Sequence, residues 1–367
     1  MLATTAGMTE ENFSDVDIGR TNRRWHATCN NLAMLQLGVL MSQLNVLAKA
    51  AVLIALAASP ANAEDVTSYP SRTIKIIVAF PPGGTPDVVA RIIASGLERR
   101  LGKPVIIENV SGASGALAAR STARSAADGY TLQFTEMSFV VARHVTANFG
   151  VNPLKDFTPI GWTAVSPFSL IASASIPATN VVDFIALAKA KPDEVLIGHS
   201  GIGTTPHLGA VSFSKVAGIE PRFISYRGIV TAINNAMSGI ISGLFSAGAA
   251  AVSASSNDKL RVLAVTGKKR MPQIPNIPTF DESGITMRGF EIGAWYGLVA
   301  PAGTPAEIVQ KINGALNDMT NDQDANPRLT AVGAEFRSGS QKEFADFLVA
   351  QDALWGKTLS DLGVKPE

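Results

Sequence analysis

Residues 73–97 read TIKIIVAFPPGGTPDVVARIIASGL. Thr73–Phe80 is an apolar, β-branched run of the kind that forms a buried strand, and Pro81-Pro82-Gly83-Gly84 turns the chain at its end. Thr85 then stands as an N-cap, Pro86 at the first helical position and Asp87 as an acid in the first turn. Val88, Val89, Ile92, Ile93 and Leu97 recur at helical spacing, and the helix is expected to stop near Gly102, ahead of Lys103-Pro104. Strand, glycine turn, helix is the building unit of an α/β protein.

The unit recurs. Val105–Val110 is a strand, Ser111-Gly112-Ala113-Ser114-Gly115 a turn and Ala116–Ala126 a helix; Tyr130–Phe134 is a third strand, entering a loop with Thr135, Glu136 and Ser138. Such repeats imply βαβ units and a parallel sheet. A second series begins after Pro177, with a helix near Val181–Ala190, a strand at Val195–Ile197, the glycine-rich turn Gly198–Pro206 and a helix from about His207. Further strands fall at Phe223–Tyr226, Ile240–Phe245, Leu260–Val265 and Ala294–Ala300 (AWYGLVA). The last leads through Pro301–Pro305 into two long amphipathic helices. Two α/β domains with a cleft between them fit this order, and 367 residues suit two domains at roughly 100–200 residues each.

Hydrophobic residues make up 46% and charged residues 17%, which excludes a disordered chain and a coiled coil. Lys plus Arg number 31 against 30 Asp plus Glu, and a net charge of +1 offers nucleic acid no basic field. Near the start, Ala50–Ala58 (AAVLIALAA) follows Lys49 and precedes Ser59-Pro60-Ala61-Asn62-Ala63. A charge, a short apolar run and a small-x-small site are the layout of a secretory signal peptide, cut here after Ala63; a membrane span would need about 20 apolar residues. Residues 1–63 are therefore read as an N-terminal extension and signal peptide, with Met34 or Met41 a more natural start than Met1. Export points to the periplasm. Cys29 lies before the cut, so the exported chain has no thiol for a nucleophile, a metal ligand or a disulfide.

Three glycine-rich turns each feed a helix start: Pro81–Pro86, Ser111–Gly115 and Gly198–Pro206. Glycine lets the backbone approach a ligand, and the free N–H groups of a helix N-terminus attract anions. In open α/β sheets ligands sit at the carboxyl ends of strands, where these turns lie. Converging, they would make a neutral carboxylate or phosphate site, with hydroxyls of Thr85, Ser138, Ser200, Thr204 and Thr205 added; taken singly, each turn is a mere connection. Phe80 either packs on a ligand or joins the core, and Trp295 and Tyr296 read as core rather than a stacking platform. Arg227 reads as a surface residue, with pairing to an anion as the other option.

Enzyme motifs are poor. Gly198-His199-Ser200-Gly201-Ile202 nearly matches the G-x-S-x-G nucleophile elbow, but Ile202 replaces the last glycine and His199 is too close in sequence to serve Ser200 as a base. Gly201-Ile202-Gly203 lacks the third glycine of a dinucleotide fingerprint, and no metal-ligand spacing occurs. No cofactor and no metal are expected.

The opening Tyr69-Pro70-Ser71-Arg72 with IKIIVAFPPGGTPDVVAR resembles the start of Bug-type receptors, the periplasmic substrate-binding proteins of tripartite tricarboxylate transporters. The resemblance continues through VIIENVSGASG, ADGYTLQF, KDFTPIG, IGHSGIGTTPHL, ISYRG, LRVLAVT, IPTFDESG and WYGLVAPAGTP to the final DLGVKPE, and so covers 69–367. It implies a periplasmic-binding-protein (Venus flytrap, type II) fold, α/β, with domain 1 formed by 64–168 and 287–367 and domain 2 by 169–286. It implies a monomer without catalytic activity that binds small carboxylates in the cleft and hands them to a membrane permease or a membrane sensor. The matching positions are Phe80, Pro82, Gly83, Gly84 and Asp87 in the first turn, with Ser138, Ser200, Gly201, Gly203, Thr204, His207, Tyr226 and Gly228 elsewhere.

Two departures bear on the ligand. The first turn usually reads Gly-Gly-Gly-Thr-Asp in the family, whereas Pro86 here removes one N–H. After Phe245 the family often has an Asp suited to a ligand's amine; here Ser246 lines that position, and Ser242 and Gly243 depart nearby. The expected ligand is a mono- or dicarboxylate without an amino group, aromatic acids included. The rival reading is a secreted α/β hydrolase or esterase using Ser200.

Overall fold

A computed structural model describes residues 68–287 and 289–361; the expected signal peptide of 1–63 and its cut after Ala63 lie outside the described residues. The first run of elements is β1 (Ile74–Val78), α1 (Thr85–Leu101), β2 (Val105–Asn109), α2 (Ala116–Ala123), β3 (Thr131–Glu136), α3 (Met137–Val145) and β4 (Phe157–Ser166). The second is β5 (Phe168–Ser173), α4 (Val181–Ala190), β6 (Leu196–His199), α5 (Thr205–Ala217), β7 (Arg222–Ser225), α6 (Ile229–Met237), β8 (Gly243–Ala247), α7 (Gly248–Ser255) and β9 (Leu260–Val265). The third is β10 (Ala294–Pro301), α8 (Ala306–Asn317), α9 (Ala325–Ala331), β11 (Glu335–Phe336) and α10 (Gln341–Asp361).

The strands form a six-stranded sheet, ordered β11-β4-β10-β3-β1-β2, and a five-stranded sheet, ordered β7-β6-β8-β5-β9. Each sheet with its helices is a lobe. The βαβ units of the sequence are present: β1 is parallel to β2 and β3, and β6 to β7 and β8. The sheets are nevertheless mixed, which corrects the all-parallel expectation. β10 runs antiparallel to β3 and β4, and β5 antiparallel to β8 and β9.

Local corrections have local causes. α1 takes Gly84, not Thr85, as its N-cap, so Thr85 and Pro86 are its first two residues. Proline needs no N–H partner there, and its fixed φ suits a first turn. β3 runs on to Glu136 and α3 begins at the next residue, because the Glu136 side chain accepts the Ser138 N–H and caps the helix. No loop intervenes. The C-terminal portion holds three helices rather than two, α9 being a separate seven-residue piece.

Burial explains why β1 lies inside its sheet: Ile74, Ile76 and Val78 pack into the main core while Ile77 meets Ala79 and Ala118 on the other face. Val89, Ile92, Ile93 and Leu97 of α1 join the same core, each such side chain contributing about 1.5–3 kcal/mol when fully buried. Ion pairs tie the C-terminal helices back. Asp322 pairs with Arg99 (2.9 Å) and Arg100 (2.6 Å) of α1, and Asp352 of α10 pairs with Arg143 of α3 and is hydrogen-bonded to His144 (2.9 Å).

The chain passes between lobes at Pro167, between β4 and β5, and again in the segment from β9 to β10. Ser166 fastens this crossing: its hydroxyl donates to the Gly333 carbonyl (2.7 Å) and accepts the Gly248 N–H (2.9 Å). Gly293 lies so close that a Cβ there would stand 2.2 Å from the Ser166 carbonyl oxygen, and its φ is +72°. Both space and backbone conformation therefore demand glycine. Gly293→Ala is expected to destabilise the protein by about 2 kcal/mol or more, a fall in Tm of roughly 4–8 °C by thermal denaturation.

Candidate functional site

The first turn is held by an acid that does not itself reach the cleft. Asp87, buried in the first turn of α1, accepts the Gly83 N–H (3.0 Å), both arms of Arg91 (3.0 and 2.9 Å) and the Asn109 amide (2.8 Å). Asn109 also donates to the Phe80 carbonyl (2.9 Å), so strand end, turn and helix are stitched together. Burial pushes the Asp87 carboxyl up, but the bonds from Arg91, Gly83 and Asn109 outweigh it and hold it below the usual range.

Two histidines do the same for the third turn. His199 Nδ1 accepts the Gly201 N–H and His207 Nδ1 the Gly203 N–H, each at 3.2 Å, which assigns the proton of both rings to Nε2. The rings lie 4.6 Å apart between centroids. Burial, and then His199, lowers His207 to about 4, and burial lowers His199 as well. Ser200 Oγ donates to Thr204 Oγ1 (3.2 Å), which donates to the Gly201 carbonyl (2.6 Å). Gly203, at φ +76°, passes so near Val145 of the first lobe that a Cβ would stand 2.2 Å from its Cγ2.

Between the lobes lies a cavity with about 800 Å³ of space free of protein atoms. Of the expected ligand residues, Phe80, Pro82, Gly84 and Thr85 line it from the first turn, Ser200 and Thr205 from the third, and Gly228 and Ser246 from the ends of β7 and β8. Gly201 and Tyr226 line a neighbouring space of about 1130 Å³ that shares Phe80, Ser200 and Arg227 and is bounded by the second turn, 111–115. Ser138 lines a smaller chamber of about 250 Å³ behind Phe80. Gly83, Asp87, Gly203, Thr204 and His207 line none of these spaces; they shape the turns that do.

Among the lining residues outside the expected ligand set, four carry aromatic or charged side chains. Phe168 and Tyr296 line it from the starts of β5 and β10. Tyr296 is buried, stacks on Phe134 with centroids 5.4 Å apart, and has its phenol pushed far up by burial first and then by its neighbour Glu136, which is ionised in the strongly alkaline range where a phenol titrates. Arg227 lines the cavity mouth, exposed, and its guanidinium makes no ion pair among the described residues. Glu136, 5% exposed, lines the cavity floor. Its carboxylate accepts the Ser138 N–H (3.2 Å) and contacts the hydroxyls of Ser138 and, across the cleft, Thr205. An acid directly after a buried strand was the signal that could have revealed it.

The hydrolase reading finds no assembled triad: Ser200 is bonded to Thr204, and both histidines of its turn spend Nδ1 on backbone N–H groups. Among the described residues no cluster of three or more His, Cys, Asp or Glu could hold a metal ion.

Two α/β lobes, joined by two crossings and enclosing a cavity at their strand ends, define a cleft-type ligand-binding protein. The chain belongs to the tripartite tricarboxylate transporter family of receptors, whose profile matches residues 89–364. It is similar to the periplasmic binding protein BugD, at 30% identity and TM-score 0.76, over 82% of this chain and 100% of that one. It is similar to Rpa4515 of R. palustris, solved with adipate, at 32% identity and TM-score 0.77, over 82% and 100% of the two chains. MatC from Rhodopseudomonas palustris, solved with bound malate, shares 29% identity and TM-score 0.73 over 79% of this chain and 99% of its own.

His207 gives the third turn a pH window. A histidine whose folded pKa is about 4 rather than 6.5 binds its proton more readily in the unfolded chain, so stability is fully present above about pH 6.5 and falls until about pH 4. The slope due to this group is at most about 1.4 kcal/mol per pH unit. Denaturant unfolding across that range is expected to show a shallower slope in His207→Asn, whose side-chain oxygen still accepts the Gly203 N–H. Identical slopes would show that His207 does not carry the effect.

Proposed function

We propose that the protein captures a small organic acid, a mono- or dicarboxylate including aromatic ones, in the interlobe cavity and delivers it to a membrane permease of the tripartite tricarboxylate type. The observation that carries this is the unpaired Arg227 at the mouth of a cavity onto which the N-terminus of α1 opens through Gly84 and Thr85. The first N–H groups of a helix have no acceptor within it and favour an anion, so guanidinium, helix end and the hydroxyls of Thr85 and Ser200 converge on one carboxylate. That Rpa4515 holds adipate and MatC malate supports the same ligand class.

The proposal includes a periplasmic monomer released by cleavage after Ala63, with domain 1 formed by 64–168 and 287–367 and domain 2 by 169–286. It has no enzymatic step. Ligand contacts both lobes only when they are together, so its differential affinity draws the population to the closed form that the permease recognises.

Thermal unfolding of ligand-stripped protein across a panel of carboxylates, amino acids and aromatic acids tests this. Ligand at 1,000 times its Kd adds about 4 kcal/mol, a shift of roughly 8–16 °C. Arg227→Ala should unfold like the wild type without ligand, and should weaken the active acid by about tenfold or more in calorimetry. A panel without any shift, or turnover of a chromogenic ester that Ser200→Ala abolishes, would overturn the receptor reading.

A further inference from the structure

The cavity holds one acid that carboxylate capture leaves unused. Glu136 is buried, with 5% of its surface exposed, whereas Arg227, the cavity's cation, is exposed at the rim. The hydrogen-bond partners of Glu136 are two main-chain N–H groups, of Met137 and Ser138, and two hydroxyls, with no cation among them. A carboxylate ligand therefore enters a low-dielectric space that already contains a carboxyl group without a counter-ion. Two anions there would repel strongly, and two carboxyls sharing a site keep one proton between them.

We infer that Glu136 is a specificity residue that works un-ionised: its carboxyl O–H donates to an oxygen at the inner end of the bound acid, a second carboxylate above all, and the site thereby favours an inner oxygen over an inner ammonium. This rests on the receptor reading above, in which Arg227 and the first turn take the outer carboxylate. The surroundings suit a proton on either oxygen, because the Ser138 and Thr205 hydroxyls each donate or accept as required. Burial raises the Glu136 carboxyl above its ordinary range, against the opposing hydrogen bonds of Ser138 and Thr205. Because Ser138 belongs to one lobe and Thr205 to the other, the acid meets its full set of partners only when the lobes are together.

The other charged or titratable groups near Glu136 are Tyr296 on β10, Arg227 at the rim, and His199 and His207 around the N-terminus of α5; α3 contributes the non-titrating Ser138. Burial drives Tyr296 up and both histidines down, so none of these three groups changes charge as the pH rises just above neutral.

The test is isothermal calorimetry on ligand-stripped full-length protein with three matched probe sets: straight-chain dicarboxylates from succinate to suberate, monocarboxylates of the same lengths and ω-amino acids of the same lengths. The best dicarboxylate is expected to bind at least about tenfold tighter than its monocarboxylate and ω-amino counterparts at pH about 7. Its affinity should fall as the pH is raised and Glu136 loses its proton. Glu136→Gln, which keeps a donor and an acceptor but cannot ionise, should show no such fall. Should E136Q fail to fold, the wild-type probe ratios and pH profile decide alone. An ω-amino acid that binds tightest and is lost in E136Q would overturn the inference by making Glu136 an ionised acceptor. Monocarboxylates binding as tightly as dicarboxylates would overturn it while leaving the receptor reading intact. Binding of no acid at all would remove both.

Discussion

The crossing at Ser166, Pro167 and Phe168 governs what the cavity can be made of. β4 ends at Ser166, which pairs with Ala294 at the start of β10, and after the single residue Pro167, Phe168 opens β5 opposite Ala247 at the end of β8. Both sheets therefore present to the cleft the edge where their parallel strands finish. β1, β3, β6, β7 and β8 deliver their last residues there, with the glycine turns and helix N-termini that follow. β5 and β10 run the opposite way and begin at that edge, which is how Phe168 and Tyr296 come to face the same space as Phe80 and Ser246.

Charge is distributed around that space with a consistent logic. The groups with formal or potential charge nearest the turns are spent on backbone: Asp87 on the Gly83 N–H, His199 and His207 on the N–H groups of Gly201 and Gly203. Each fixes a glycine turn whose own flexibility would otherwise leave the binding geometry undefined. What remains to face a ligand is helix ends, hydroxyls, one exposed guanidinium and one buried carboxyl. A wall of that kind recognises the shape and polarity of an acid with few side-chain charges, and this is why the sequence carries so few clues to its ligand.

The extent to which the site was legible follows the same division. Residues 73–97 predict a strand, turn and helix that the structure contains, because burial on both faces, proline and glycine all act locally. The turn residues Gly84, Thr85, Ser200 and Gly228 were legible for the same reason: their position follows from lying after a strand. Phe168 and Tyr296 were not, since strand direction depends on pairing with residues far away, and a sheet assumed parallel puts the starts of β5 and β10 at the wrong edge. Glu136 was hidden by a boundary. Read as a loop residue after Phe134 it carries no constraint, whereas as the last residue of β3 and the cap of α3 it is fixed in the cleft. Arg227 looked like surface and is exposed, but the surface in question is the mouth of the cavity.

The contacts between lobes also limit how closure can depend on ligand. Ser114 Oγ donates to the Ile202 carbonyl (2.7 Å), Thr205 meets Glu136, and Gly203 lies against Val145, all from opposite lobes. Two of these contacts are single hydrogen bonds, each worth about 0.5–1.5 kcal/mol net when neutral; the Ser166–Gly248 bond and apolar packing at the crossings add to them. In the proposed capture, moving a population from mostly open to mostly closed takes a differential affinity of several kcal/mol, which ligand atoms touching both lobes at once would supply. The residues placed to make that double contact are Thr85 and Glu136 on one side and Ser200, Thr205 and Arg227 on the other. Under the proposed function, recognition of the acid and closure of the cleft would be one event, because the groups proposed to read the ligand stand on both sides of the cleft.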